Sequence, residues 1–289
     1  MTDLAAVRPS LACVCGAAGL ETVHVYTTRP AGETEFTFTM GRPYYRELQR
    51  CGRCGHFRSA AHVESGVLYG GDYVSATYGD DGIRAAFLRI TSLDLHRSDN
   101  AGRVRRVNEL AEAYLPPGAV RRLLDVGTGL GVFPHAMKTA GWSCTVIDPD
   151  PQAARHAGEM LGVETVCSDF LDVAGGNVGR FDLITFNKVL EHVDDPVAML
   201  DHARSFIGTG GLAYVEVPDG VEAFADDPGR EEFFIDHLHV FSVSSTSHLA
   251  GRAGFRPLLI ERLREPSGKY TIRALLRPCH STTMSNPVT

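Results

Sequence analysis

The segment Leu123-Leu-Asp-Val-Gly-Thr-Gly-Leu-Gly131 constrains the fold more than any other: an apolar strand runs into a glycine-rich turn and then a helix. Glycines 127, 129 and 131 let the backbone approach a ligand closely, as at the switch point of an open α/β sheet. Downstream of Pro117 strands alternate with helices. The patterning predicts strands at 121–126, 143–148, 164–167, 181–186 and 212–217, with helices at 131–140, 151–161 and 196–207 between them. Such alternation calls for parallel strands joined by helical crossovers. A helix over 243–253 then precedes strands at 258–262 and 270–276. Their connection, Glu265-Pro266-Ser267-Gly268, is too short for a crossover, so this last pair should be antiparallel.

Of the 289 residues 44% are apolar and 22% charged, enough to bury a real core. No apolar run approaches the roughly 18 residues of a membrane span. The N-terminus lacks the basic and then apolar stretches of a secretory signal. Lys and Arg total 28 against 35 Asp and Glu, a net charge of −7. That argues against a partner whose phosphates must be tracked. These features predict a soluble, cytoplasmic enzyme, in a reducing compartment where clustered thiols mean metal or chemistry.

Four of the seven cysteines fall within residues 13–54. Cys51-Gly-Arg-Cys54 suits one edge of a tetrahedral zinc site, and Cys13-Val-Cys15 supplies a second pair upstream. His56 is the nearest substitute if one thiolate is not used. Between the pairs, alternating stretches at 22–28 and 35–40 predict a hairpin joined by 29–32, the layout of a zinc ribbon. With four ligands filled the zinc is structural. Residues 62–80, rich in Gly and Tyr, read as a loop or lid, and 81–115 as helical. The expected divisions are a zinc-binding segment (1–61), a lid and helical extension (62–118), an α/β domain (119–279) and a disordered tail (280–289).

Four polar residues accompany the glycine turn. Asp125 closes its strand, Asp148 (followed by Pro149) ends the next, Asp169 the third, and Asn187 follows the fourth. All four fall at one sheet edge, where open α/β folds bind ligands. Asp148 stands where ribose hydroxyls are met and Asp169 where an adenine amino group is met; each alone would equally serve as a helix cap. A dinucleotide is disfavoured because G-x-G-x-x-G requires Gly where Val132 stands. A pyrophosphate would also sit poorly beside Asp125. A sulfonium cofactor carrying an ammonium group, S-adenosylmethionine, fits both features.

At these residues the chain resembles the class I S-adenosylmethionine-dependent methyltransferases. The matching pieces are LLDVGTGLG, VIDPDPQAARHA, SDF, FDLITFNKVLEHVDDP, GGLAYVEVP and HLHVFS, over about 121–277. The resemblance implies an α/β, Rossmann-like, seven-stranded and mostly parallel sheet whose last strand is inserted antiparallel, beside a small N-terminal zinc-ribbon-like domain. The N-terminal part is similar to a zinc-binding subgroup that includes deoxysugar C-methyltransferases, through Cys51-x-x-Cys54 and the run Tyr69, Tyr73, Tyr78. It departs in its C-x-C pair and in lacking that group's further C-terminal domain. The resemblance implies that Asp125, Gly127, Thr128 and Gly129 cradle the methionine part with Asn187. It implies that Asp148 and Pro149 meet the ribose, Asp169 and Phe170 the adenine, and that Tyr73 or Tyr78 closes a lid.

Methyl transfer from a sulfonium to a hydroxyl or acidic carbon needs a base, and a histidine with pKa about 6.5 suits neutral pH. His192 follows the fourth strand; His237 and His239 follow the fifth, with Asp236 directly before. In an extended segment His237 and His239 share one side. In the sugar C-methyltransferases that this segment resembles, an acid-His pair is the base. His237 is therefore expected as general base, Asp236 as its orienting acid, His192 as second candidate and His239 as support. The acceptor would be a small molecule of secondary-metabolite or sugar biosynthesis. A zinc-finger RNA methyltransferase is the runner-up, disfavoured by net acidity and by FNKVLEHV where an Asn/Asp-Pro-Pro-Tyr segment would stand. A salt-sensitive RNA gel shift would favour it. A cofactor-binding subunit without activity is the third reading, marked by a thermal shift with S-adenosylmethionine and no turnover. The acceptor atom and the oligomeric state are not legible.

Overall fold

The computed structural model describes residues 12–35, 43–61 and 82–279. In chain order the elements are β1 (Glu21–Tyr26), β2 (Arg46–Arg50), β3 (Phe57–Ala61), α1 (Gly82–Thr91), α2 (Asp99–Tyr114), β4 (Arg122–Val126), α3 (Val132–Thr139), β5 (Ser143–Asp148), α4 (Pro151–Leu161) and β6 (Glu164–Cys167). There follow α5 (Gly175–Val178), β7 (Phe181–Asn187), α6 (Pro196–Ala203), β8 (Ile207–Pro218), α7 (Gly220–Asp226), β9 (His239–Val240), α8 (Val243–Arg252), β10 (Phe255–Arg264) and β11 (Tyr270–Pro278). The tail from 280 and the Tyr-rich stretch 62–81 lie outside the described residues.

Seven strands form one sheet in the order β10-β11-β8-β7-β4-β5-β6. Strands β4 to β8 pair in parallel, whereas β11 is antiparallel to both β8 and β10. Only β11 runs against the rest, so the expected fold class holds. The central strands are buried on both faces, which is why they read as near-continuous apolar runs. Helix starts follow local chemistry: Asp150 caps α4 and Asp195 caps α6, each followed by Pro at the first helical position. Within 82–115 the helical stretch breaks around residues 92–98, and Ser98 restarts it by accepting from the Ala101 N–H at 3.1 Å.

The small sheet has the order β1-β2-β3-β9. Strand β1 pairs with β2, register Glu21↔Arg50 to Tyr26↔Arg46, while of the second arm expected for the hairpin, 35–40, only Glu35 is described. Residues 36–42 lie outside the described ones. The sequence hid β2 because one of its two inward residues is a charge, Arg46, beside the buried Leu48. Arg46 is fully buried, 4.0 Å over the Tyr26 ring, and donates to Glu33, Ser59 and the Phe233 carbonyl. The fourth strand arrives from far along the chain, with Phe57↔Val240 and Arg58↔His239 in register. The cysteine-bearing segment thus shares a sheet, and a hydrophobic cluster containing Phe241 and Leu249, with the α/β domain. No helix among the described residues is long and apolar enough to cross a membrane.

Candidate active site

The register of the large sheet brings the predicted polar residues to one edge. Asp125 pairs across from Thr185, Asp148 from Cys167, and Asn187 from Glu216. Asp125 is buried, and its Oδ1 accepts from the Thr185 hydroxyl at 2.6 Å and the Asn187 amide at 2.9 Å. Burial pushes its carboxyl up to about 6, against those hydrogen bonds. Asp148 does not cap a helix. Its Oδ2 accepts from the Gly129 N–H and its Oδ1 from the Asp150 N–H, both at 2.9 Å, so the carboxylate holds the glycine turn in place. Each oxygen keeps a lone pair for a further donor. Burial raises this acid too, opposed by the same N–H groups.

Gly127 has φ 69° and a Cβ there would come within 2.8 Å of Val189, so only glycine fits. Gly129 has φ 51° and open space where its Cβ would stand. Beside this opening two buried polar atoms, Thr128 Oγ1 and Asn187 Oδ1, have no partner among the described residues. Unpaired buried polar atoms are costly. Here they line a cradle that a polar ligand would complete.

Asp169 is exposed and accepts from the Leu171 N–H at 2.9 Å, so it is a cap as well as an edge residue. Pro149 is exposed, directly after Asp148. The Phe170 ring is spent on the core: it is buried against Phe186, Phe206 and His202 with centroids 4.9–5.8 Å away. No ring face is left to stack on a ligand. Tyr73 and Tyr78 lie outside the described residues.

The histidines separate. His237 sits in a turn rather than an extended strand, which removes the premise that His237 and His239 share a side. His192 and His237 meet with ring centroids 4.8 Å apart. His237 Nδ1 lies 2.8 Å from the Glu232 carbonyl and His192 Nδ1 2.9 Å from the Asp236 carbonyl. A carbonyl only accepts, so both rings carry hydrogen on Nδ1 and a lone pair on Nε2. The Asp236 carboxylate lies 3.8 Å from His192 Nδ1, and the Glu232 carbonyl, not Asp236, orients His237. His239 is buried with both nitrogens engaged, to His56 Nε2 at 3.0 Å and the Asp194 carbonyl at 3.4 Å. Burial pushes it down to about 4. It holds the small sheet to the loop that carries Asp194.

The four cysteine sulfurs gather, with Cys13–Cys54 at 3.4 Å and Cys15–Cys51 at 3.7 Å, and all within 4.8 Å of one another. A disulfide needs about 2.05 Å; tetrahedral zinc with bonds of about 2.3 Å spaces sulfurs at roughly 3.8 Å. The donor set fits zinc. His56, turned onto His239, is not a fifth candidate.

Three features of this edge carried little sequence signal. Lys188 adopts the left-handed region at φ 59° and donates to Thr271 Oγ1 at 2.8 Å. Glu216 is fully buried and accepts from Arg103, Arg273 and the Tyr214 hydroxyl, which holds its carboxyl far below the usual range. Glu191 is fully buried, and its carboxylate accepts nothing from any described residue. Its place before His192 was the only hint.

A family described as "Methyltransferase domain" matches residues 96–260. A ubiquinone biosynthesis O-methyltransferase of Xanthomonas campestris pv. campestris is 33% identical over 115 residues, covering 38% of this chain and 47% of the relative. The one of Thiobacillus denitrificans is 30% identical over 105 residues, 34% and 44% respectively. The chain spans about half the length of the curated relatives it matches. Among solved structures, the 1,6-didemethyltoxoflavin-N1-methyltransferase of Burkholderia thailandensis, with its bound S-adenosylhomocysteine, superposes with TM-score 0.55 at 19% identity, over 86% of this chain and 100% of that one. Magnesium protoporphyrin IX methyltransferase from Synechocystis gives TM-score 0.50 at 16% identity, over 74% and 99%.

Proposed function

The chain belongs to the methyltransferase-domain family, and from that we propose that it transfers the methyl group of S-adenosylmethionine to a small-molecule acceptor. The observation that carries the reading is the sheet edge itself. Asp125, Asp148 and Asn187 converge on a glycine turn with open space at Gly129 and two unpaired buried oxygens. Asp125 and Asn187 would hold the methionine ammonium, Asp148 the ribose hydroxyls and Asp169 the adenine amino group. S-adenosylmethionine supplies an electrophilic methyl on a sulfonium. The chain must supply binding, alignment and a base. His237 is that base, with its lone pair on Nε2, and a secondary-metabolite or sugar precursor is the acceptor class. Zinc on Cys13, Cys15, Cys51 and Cys54 would be structural.

Asp148→Ala is expected to weaken S-adenosylmethionine ten-fold or more, since two charge-assisted hydrogen bonds of about 1.5–3 kcal/mol each are lost. Calorimetry on the folded variant checks this, and unchanged affinity would refute the ribose assignment. A second expectation follows from Asp125. Its folded acid titrates near 6, so the ammonium is held by a carboxylate only above that pH. Affinity should rise as pH passes upward through about 6 and level off above, with a proton released on binding at pH 6. Asp125→Asn should flatten that dependence. Affinity that is independent of pH from 5 to 8 in the parent would remove Asp125 from the site.

A further inference from the structure

Glu191 is used by none of the roles above. A bare ionised carboxylate in a protein interior is costly without a donor or a positive charge. One of its oxygens, a ring nitrogen of His192 and a ring nitrogen of His237 all lie within 4.8 Å of one another. Lys188 contributes charge to the same region, but its ammonium is hydrogen-bonded to Thr271. Around His237 the described titratable and charged groups are Asp236 on its own segment and His192 and Glu191 from the loop after β7. The Glu232 carboxylate is turned away onto Arg230 and the Tyr270 N–H.

We propose that Glu191 is a positioning residue that sustains the base strength of His237, its unpartnered carboxylate offsetting the charge of the imidazolium formed in the reaction. The inference rests on His237 being the base. In that step the acceptor's X–H bond breaks and its proton passes to His237 Nε2. The freed pair forms the X–CH3 bond and the S–CH3 pair returns to sulfur. Positive charge then appears on a ring that burial and His192 both make reluctant to carry it. A fixed negative group already stripped of water costs no reorganisation at that moment.

The test compares Glu191→Gln, Glu191→Asp and His237→Asn with the parent. Its readouts are the pH profile of kcat and the imidazole titration of His237 by NMR in the S-adenosylmethionine complex. Glu191→Gln should move both the acid limb and the His237 titration about one unit lower, a ten-fold loss of proton affinity. KM for the acceptor should stay within about two-fold, and the plateau should fall roughly three- to ten-fold. Glu191→Asp should recover most of both shifts. If His237 titrates alike in the parent and Glu191→Gln, the inference fails even where kcat drops. If purified parent retains a divalent cation that Glu191→Gln loses, it also fails, because the carboxylate then belongs to a metal. An acid limb that survives in His237→Asn instead overturns the base assignment itself.

Discussion

His237→Ala is expected to lower kcat by roughly 10²–10⁴, the span of general-base contributions, while leaving S-adenosylmethionine affinity within two-fold. The ring is tied by Nδ1 to the Glu232 carbonyl and makes no hydrogen bond to the residues of the glycine turn, so, as the proposed base, its loss removes a proton acceptor and leaves the Asp148–Gly129 contact in place. His192→Ala should cost less, since that ring neighbours His237 and is tied to the Asp236 carbonyl. The check is single-turnover kinetics with the true acceptor at pH 7, beside calorimetry of cofactor binding. Parent-like turnover in His237→Ala would leave the acceptor to be deprotonated by another group.

The second large effect concerns zinc. Purified protein is expected to hold one ion per chain, and Cys54→Ser or strong chelation to unfold the four-stranded sheet, because structural zinc contributes on the order of 10 kcal/mol. The consequence should travel. Ser242 donates to the Cys54 carbonyl, Arg252 to the Val14 carbonyl, and the Ser59 N–H to the Leu238 carbonyl. Metal loss therefore frees the segment carrying His237. Hydrogen exchange should show lost protection at Ser59 and Cys51 while β4, β5 and β7 stay protected. Protein without bound metal, or unchanged exchange after chelation, would leave the cysteines as packed thiols.

Legibility in the sequence followed the range of the interaction. Strands β4, β5 and β7 and helices α4 and α6 were readable because each is decided locally, by a largely buried apolar run or by an Asp-Pro start. Asp125, Asp148 and Asn187 were readable because a parallel sheet sends every strand's carboxyl end to one edge. Strand β2 was not, since Arg46 is buried only where Glu33, Tyr26 and Phe233 receive it, from three separate parts of the chain. Nor was the orientation of His237, which depends on a turn that brings its ring back to the Glu232 carbonyl.

The sequence by itself determined the class of fold, the glycine turn with its acids and the presence of a thiol cluster, all of which are set by periodicity and spacing along one segment. The tertiary structure alone decided that β9 completes the small sheet and that His239 is consumed by His56. It alone decided that the Phe170 ring is core and that Glu191 stands bare beside two imidazoles. Those outcomes depend on which partner a buried side chain meets elsewhere in the chain, 183 residues away for His56 and His239, and through ring packing on α6 and the segment after it for Phe170. No local pattern encodes that choice.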